Sequence, residues 1–232
     1  MRFEQPLISG TFIRRYKRFF VDAALADGSI VTAHCPNTGS MLGLIAEGAP
    51  VYLSPAKDPT RKLKFTLEMI KTPTSWVGVN TGHPNKIVHE ALLSGEVAEF
   101  KDIQSIKPEQ KYGTNSRIDL LAQQKNGQLC YIEVKNVTLA EGKTALFPDA
   151  VTTRGAKHLN DLAAEAQKGH RAVMFYLVQR TDCTHFNVAA HIDPDYAATL
   201  KEALAKGVEA VCYQCTLTDT AITLDKPLPM RF

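Results

Sequence analysis

Two carboxylates and a lysine in the middle of the sequence have types and spacing suited to metal-ion chemistry. Asp119 lies in the segment Ser116–Leu121. Glu133 follows fourteen residues later, and Lys135 comes two residues after Glu133. Two carboxylates on one face of a sheet repel unless a cation joins them, and oxygen ligands of this kind suit Mg²⁺ or Mn²⁺. Such an ion could activate a water beside a phosphodiester, while Lys135 could orient that water or stabilise the developing charge. The three residues are therefore candidate catalytic residues, and the carboxylates are candidate metal ligands.

The geometry of a hairpin decides whether these side chains can meet. Side chains alternate along a strand, so Glu133 and Lys135 share one face. A two-residue turn at Asn126-Gly127 would send Asp119 and Glu133 to opposite faces, whereas a three-residue loop with the glycine in the left-handed conformation would pair them. A metal site therefore requires the three-residue loop or an equivalent bulge. The alternative is that Glu133 and Lys135 form an exposed polar stripe on an edge strand.

Charged residues of two predicted helices could complete such a site. Glu90 lies in the middle of a helix just before the sheet, where it could reach the metal, although an exposed helix carboxylate is the alternative. Arg154, Lys157 and His158 follow the hairpin at helical spacing and could contact the scissile phosphate. Their alternative role is a solvated basic face. Asp149, just before that helix, is a candidate cap.

Basic residues concentrate in the first third of the chain. Residues 1–86 contain eleven Lys and Arg against six Asp and Glu, a net charge of +5, whereas residues 87–232 contain sixteen against eighteen, a net charge of −2. Aromatic residues alternate with the basic ones in two runs, a combination typical of nucleic-acid grooves. The alternative is a solvated strand face above buried aromatics. The candidate DNA-binding residues of these runs are Arg14, Arg15, Lys17, Arg18, Arg61, Lys62 and Lys64.

The pattern of predicted elements changes near residue 82. Residues 1–82 contain short strands separated by glycine and proline turns, which predicts a small barrel or sandwich. Residues 83–232 alternate helices, predicted at 85–94, 152–167 and 195–206, with strands at 97–106, 117–123, 129–137, 171–179 and 208–217, and this indicates an α/β domain with a mixed sheet. The sequence thus predicts two domains, a basic nucleic-acid-binding domain at 1–82 and a domain carrying the carboxylates at 83–232.

Cysteine usage and hydropathy favour a cytoplasmic protein. The five cysteines are irregularly spaced, and the sequence shows no secretion signal, so reduced thiols are expected in place of disulfides. Cys212 and Cys215 match C-x-x-C, but a strand would point them to opposite faces, which disfavours zinc. No apolar stretch is long enough for a membrane helix.

The segment His34–Met41 is unusual for an ordinary loop, and its role stays open. Asn37, Thr38 and Gly39 are interpreted as a tight turn. The alternative is that the turn's backbone amides bind a phosphate.

Several ordered strings of residues together resemble one protein family. The Asp119, Glu133 and Lys135 pattern is similar to the PD-(D/E)XK nuclease core, except that Ile118 replaces the proline. Over essentially the whole chain, the sequence resembles the bacterial sugar fermentation stimulation protein A (SfsA) family. The strings that carry this resemblance are His34–Gly39, Val79–Thr81, Lys111–Gly113, Ser116–Asp119, Ile132–Lys135 and Phe147–Val151, followed by Arg154, Lys157 and His158.

The resemblance implies an α/β (α+β) protein with an N-terminal OB-fold-like β-barrel and a restriction-endonuclease-like, PD-(D/E)XK mixed-sheet domain. It further implies DNA binding and a regulatory role in maltose and sugar utilisation. We therefore expect a DNA-binding protein of low sequence specificity with a Mg²⁺-dependent phosphodiester-cleaving site. Alternatives are a non-catalytic DNA-binding regulator on the same scaffold, or an RNA-processing or nucleotide phosphohydrolase activity. RNA stays open as a partner, homo-oligomerisation stays open, and no membrane partner is expected.

Overall fold

The first five strands build a closed barrel, and a sixth strand pairs with the fifth. The computed structural model describes residues 1–58, 60–113 and 116–232. The strands are β1 (Ile8–Tyr16), β2 (Phe20–Leu25), β3 (Ile30–His34), β4 (Pro50–Pro55), β5 (Phe65–Lys71) and β6 (Trp76–Gly78). They are ordered β3-β2-β1-β4-β5-β6, and β3 also pairs in parallel with β5, so the first five strands close on themselves. Buried Phe12, Val21, Leu53 and Leu67 fill the interior. The barrel is OB-like and confirms the predicted architecture.

The remaining elements form a mixed sheet covered by helices. The helices are α1 (Pro84–Leu93), α2 (Thr153–Gln167) and α3 (Pro194–Ala205). The strands are β7 (Ile103–Tyr112), β8 (Ser116–Gln124), β9 (Leu129–Val137), β10 (Leu139–Glu141), β11 (Thr144–Phe147), β12 (Arg171–Val178), β13 (His185–Val188), β14 (Glu209–Leu217) and β15 (Ile222–Pro227). The large sheet is ordered β15-β14-β12-β9-β8-β7, and β10-β11-β13 form a small second sheet. The predicted α/β domain with a mixed sheet is confirmed.

The two faces of the large sheet carry separate apolar cores. Residues of α1 pack on one face, whereas α2 and α3 cover the other. Strand alternation places Ile132 of β9 in the first core and Tyr131 in the second. Cys212 and Cys215 of β14 likewise belong to opposite cores, so their side chains cannot share a metal ion. All five cysteines are buried and free, as expected for reduced thiols.

The start of α2 is fixed by a cap that differs from the predicted one. The Thr152 side chain accepts a hydrogen bond from the Gly155 amide at 3.0 Å and is the N-cap. Asp149 instead accepts from the Ser40 hydroxyl at 2.8 Å and from the Met41 amide at 3.2 Å, so its prediction as a cap is wrong. A Cβ at Gly155 would lie 2.7 Å from Thr152, so this close approach requires glycine.

The strand predicted at 97–106 is partly wrong. A one-turn 3₁₀ helix, Ala98–Phe100, precedes β7. Residues three apart eclipse in a 3₁₀ turn, so Val97 and Phe100 can both enter the core, and each is at most 2% exposed. The small sheet and β15 were not predicted, because strands of three to six residues show too little periodicity.

A largely buried ion pair links a turn of the barrel to the segment that follows β12 of the large sheet. Arg180 donates to both carboxylate oxygens of Asp182 at 2.7 Å, and its third nitrogen donates to the Thr138 carbonyl at 2.8 Å. The Thr74 hydroxyl, from the turn between β5 and β6, also donates to Asp182. The interaction therefore joins the β5–β6 turn of the barrel to the segments that follow β9 and β12.

Replacing Asp182 with Asn is expected to lower the free energy of unfolding near neutral pH by about 2 kcal/mol. Burial opposes ionisation, but the hydrogen bonds from Arg180 and Thr74 outweigh it and lower the pKa of Asp182 to about 2. A depressed carboxyl pKa contributes stability above its unfolded value, and this is lost as pH falls through the folded value. Urea unfolding should show the difference between wild type and variant closing between about pH 4 and pH 2. A difference that is independent of pH would contradict this prediction.

Candidate functional site

The β8–β9 hairpin has the three-residue loop that a metal site requires. The register pairs Leu120 with Ile132, and one further step sets Asp119 beside Glu133. The Gln124 amide donates to the Gln128 carbonyl at 2.9 Å, which closes a loop of three residues. Gly127 has the left-handed φ of +86° that this loop needs. The predicted loop is confirmed, and both carboxylates belong to the same face.

Glu133 occupies a central strand. Strand β9 lies between β8 and β12, and the Glu133 side chain is 3% exposed. The alternative of an exposed polar stripe on an edge strand is therefore wrong. A buried carboxylate requires compensating partners, because removing an ionised group from water is costly.

Asp119 is held by two donors. The Val134 amide donates to one carboxylate oxygen and the Asn85 side-chain amide donates to the other, each at 2.8 Å. Asn85 lies in the first turn of α1, so this helix fixes the orientation of the carboxylate. Burial and the charge of Glu133 nevertheless raise the pKa of Asp119 above its usual range.

Glu133 is surrounded by cationic and imidazole groups on one side only. Its Oε1 accepts from Lys135 Nζ at 2.8 Å and from His158 Nδ1. With the proton on Nδ1, the other ring nitrogen of His158 accepts from Arg154 Nε at 3.3 Å. Burial would raise the pKa of Glu133, but the hydrogen bond from His158 and the charge of Lys135 outweigh burial and lower it.

The second oxygen of Glu133 has capacity for a ligand. Glu133 Oε2 is buried and has no hydrogen-bond partner among the described residues. The residue borders a cavity of about 240 Å³ that Asp119, Lys135, Arg154 and His158 also line. In the part of the chain that the structure describes, no group of three or more His, Cys, Asp or Glu side chains could hold a metal. Two carboxylates fit Mg²⁺, which usually retains several waters and takes one or two protein carboxylates.

Two predicted site residues lie elsewhere. Glu90 Oε2 pairs with the Met1 amino group at 2.8 Å, so the expectation that Glu90 joins the carboxylates is not met. Lys157 is half-exposed and pairs with Asp161 at 2.7 Å, outside the cavity that Arg154 lines. Of Arg154 and Lys157, only Arg154 therefore lies at the carboxylate cavity.

The basic residues of the β1–β2 hairpin divide into bound and exposed groups. Arg14 pairs with Asp22 at 2.8 Å, and Arg15 donates to the carbonyls of Asn37 and Gly39 at 2.8 and 3.0 Å. Lys17 and Arg18 form the exposed turn of the hairpin. The second basic group, Arg61, Lys62 and Lys64, is exposed just before β5.

The loop at Asn37, Thr38 and Gly39 is oriented toward α2. The Gly39 amide donates to the Asn37 side chain at 2.8 Å, as in a tight turn. The Met41 amide donates to Asp149, whose carboxylate would repel a phosphate. These contacts support the turn and oppose its use as a phosphate site.

Two residues near the carboxylates were missed by sequence reasoning. Asn85 contacts Asp119, but its only signal is its position after Pro84 at a helix start. Tyr112 is buried, and its hydroxyl has no partner within the described ranges. Burial and the charge of Glu133 raise the pKa of Tyr112 far above its usual range. The sequence pointed to Tyr112 only through Lys111–Gly113, one of the strings that carry the family resemblance.

Comparison with known proteins gives consistent matches over the whole chain. A family model described as the sugar fermentation stimulation protein RE domain matches residues 82–221, and the SfsA N-terminal OB domain matches residues 13–79. A sugar fermentation stimulation protein homolog of Paramagnetospirillum magneticum is 53% identical over 99% of this chain and 98% of its own length. A homolog from Rhodospirillum centenum is 52% identical over 98% of each chain.

A solved structure extends the comparison to three dimensions. The SfsA protein of Pyrococcus furiosus, in complex with Ca²⁺, is 26% identical and has a TM-score of 0.90. The match covers 100% of this chain and 98% of that one.

Within the described residues, no helix has the length and hydropathy needed to cross a membrane.

Proposed function

The chain belongs to the sugar fermentation stimulation protein family, and we propose that it binds DNA and cleaves phosphodiester bonds with Mg²⁺ or Mn²⁺. The observation that carries this proposal is the buried, unpartnered Glu133 Oε2 beside Asp119. The Ca²⁺ complex of the Pyrococcus furiosus protein supports a divalent cation in this fold. We further propose a division into a DNA-binding domain at 1–82 and a nuclease-like domain at 83–232, and a location in the cytoplasm.

Asp119 and Glu133 are the residues that would hold the ion. When bound, the ion would supply an acidified water and balance negative charge at the phosphate. Lys135 would place its ammonium group beside the attacked phosphate, and Arg154 would bind a non-bridging oxygen. His158 would hold Glu133 in position, since it contacts Oε1 and leaves Oε2 available. Tyr112 would remain neutral, because its pKa lies far above physiological pH.

The barrel is the proposed DNA-binding surface. Lys17, Arg18, Arg61, Lys62 and Lys64 are exposed cations that could neutralise phosphates. Phosphate contacts carry little sequence information, so binding of low specificity is expected. A role in regulating sugar utilisation, including maltose, would then follow from binding or cutting DNA near the genes concerned.

The test of this function is incubation of supercoiled and linear DNA with the protein and Mg²⁺ or Mn²⁺, with an EDTA control. Cleavage that requires the metal would establish the nuclease. A steep decrease of affinity with salt, without cleavage under any condition, would establish the non-catalytic DNA-binding regulator instead. Turnover of RNA or mononucleotides, with DNA left intact, would favour the RNA-processing or phosphohydrolase alternative.

Replacing Asp119 with Asn is expected to stabilise the metal-free protein while removing its response to metal. Burial and the charge of Glu133 raise the pKa of Asp119, so the fold disfavours the ionised carboxylate. Neutralising it should raise the melting temperature, with the new amide N–H facing Asn85, whose side chain can turn its oxygen toward it. Mg²⁺ should raise the melting temperature of the wild type and leave the variant unchanged. A destabilised variant, or one still stabilised by Mg²⁺, would contradict the assignment of Asp119 as a ligand.

A further inference from the structure

A second, larger cavity lies where the barrel meets the N-terminal segment and the start of α1. Its volume is about 550 Å³, within the range of small-molecule sites. The residues that line it share no member with those lining the carboxylate cavity. Those that carry the argument are Phe3, Ser54, Arg61, Thr66, Glu68 and His83.

The floor of this junction cavity is a buried carboxylate. The Glu68 side chain is 4% exposed and accepts from Ser54 at 2.6 Å, from Asn80 at 2.9 Å and from His83 at 2.7 Å. Burial would raise the pKa of Glu68, but the hydrogen bond and charge of His83 outweigh it and lower the pKa. Oε1 accepts from Ser54 alone in the described part of the chain, so it can accept one more donor. The floor therefore suits a ligand that presents an N–H or O–H group.

The rim of the cavity is basic. Arg61 makes no ion pair with a described residue, and Lys86 lies 3.8 Å from its partner Glu90. The acidic rim residues are already engaged, Glu4 by Lys57 and Asp58 by the Thr60 amide at 2.8 Å. A guanidinium without a carboxylate partner at the mouth of a cavity suits a phosphate group.

An aromatic side chain forms one wall. The Phe3 ring packs edge-on against His83, with 5.8 Å between ring centroids. An aromatic ring between a carboxylate floor and a basic rim can contact a planar base. The Thr66 hydroxyl makes no hydrogen bond to a described side chain, so it too is available to a ligand.

We propose that the junction cavity binds a nucleoside monophosphate group, with its phosphate at Arg61 and an N–H of its base at Glu68. The same chemistry belongs to a free mononucleotide and to the terminal nucleotide of a nucleic-acid strand. The site is separate from the carboxylate pair, although the segment at residues 80–85 contributes to the lining of both cavities. Asn80 and His83 line the junction cavity, whereas Thr81 and Asn85 line the carboxylate cavity.

The test is calorimetric titration of the full chain with the four nucleoside 5′-monophosphates, a short single-stranded oligonucleotide, ribose 5-phosphate and inorganic phosphate. At least one monophosphate or the oligonucleotide should bind about tenfold more tightly than the two phosphates that lack a base. Binding of the free monophosphate would identify a mononucleotide site, and binding of the oligonucleotide alone would identify a strand terminus.

Variants decide whether binding occurs in this cavity. Arg61→Gln and Thr66→Val should each weaken binding, the first by about tenfold or more. Lys71→Gln is the matched control, since Lys71 is an exposed cation at the end of β5, the strand that carries Thr66, but does not line the cavity. Glu133→Gln should leave nucleotide binding unchanged even if the proposed cleavage fails.

Three results would overturn the proposal. One is that none of the nucleotide probes binds at millimolar concentration. Another is that ribose 5-phosphate binds as tightly as the nucleotides, which would exclude recognition of the base. The last is that binding persists in both Arg61→Gln and Thr66→Val.

Discussion

Replacing Glu133 with Gln is expected to reduce metal-dependent DNA cleavage by about three orders of magnitude or more. The substitution keeps the size of the side chain and the oxygen that accepts from Lys135 and His158. It places an amide nitrogen where Oε2 now has no partner, and an amide N–H cannot bind a cation. The loss should therefore come from the ion and not from a collapsed site. Cleavage of supercoiled plasmid with Mg²⁺ or Mn²⁺ measures it.

Glu165→Gln provides a matched control for this variant. Glu165 is also a buried carboxylate, and its oxygen pairs with a lysine, Lys168, at 2.8 Å on α2. Its neutralisation removes the charge of a buried carboxylate that pairs with a lysine, at a distance from the carboxylate cavity. Equal losses of cleavage in Glu133→Gln and Glu165→Gln would show that buried charge, not metal binding, explains the effect.

The two carboxylates should respond oppositely when metal is absent. The folded environment raises the pKa of Asp119, where burial and the charge of Glu133 prevail, and lowers that of Glu133, where the hydrogen bond from His158 and the charge of Lys135 outweigh burial. Glu133→Gln should therefore destabilise the metal-free protein, whereas Asp119→Asn should stabilise it. A common loss of cleavage with opposite changes in stability would separate a metal-binding role from a structural one.

Strand periodicity and turn chemistry limited the carboxylates to two arrangements, and the structure shows the three-residue loop that brings them to one face. The hairpin register depends on local rules, and the Gly127 loop follows them. Strand alternation also separated Cys212 from Cys215 correctly. What periodicity could not reveal is which strand is central, because burial of Glu133 depends on β12, which follows it by more than thirty residues.

Lys157 and Glu90, the two helical residues that lie away from the site, have a common geometric explanation. Helical residues are about 100° apart, so Lys157 and His158 lie on opposite sides of Arg154 around the helix axis, and only His158 turns inward. Asn85 and Glu90 are separated by about 140° around α1, so one helix cannot present both to Asp119. The sequence showed the spacing but not the rotation of either helix about its axis.

Long-range partners account for the other errors. Glu90 binds the amino group of Met1, a contact between residues far apart in the sequence that no local pattern encodes. Asp149 was expected to cap α2, yet it binds Ser40 and Met41 more than a hundred residues away. Both side chains fitted a rule based on their position in or before a helix, but each accepts a hydrogen bond or ion pair from a residue far away in the sequence.

Replacing Lys135 with Met is expected to reduce cleavage by about two to three orders of magnitude while metal binding persists. Methionine keeps much of the apolar stem and removes the ammonium group that donates to Glu133 at 2.8 Å. Both carboxylates remain, so a titration with Mn²⁺ should still detect the ion. Single-turnover cleavage rates at saturating Mn²⁺ then measure the loss at the phosphate.

Lys168→Met is the control, because Lys168 also pairs with a buried glutamate at 2.8 Å but lies at the far end of α2. The decisive comparison is between the change in Mn²⁺ affinity and the change in cleavage rate that the Lys135→Met variant shows. If Lys135 acts on the phosphate, affinity for Mn²⁺ should stay constant or increase, since the variant removes a cation that competes for Glu133. If Lys135 only positions Glu133, affinity and cleavage should fall together, and saturating Mn²⁺ should restore the rate.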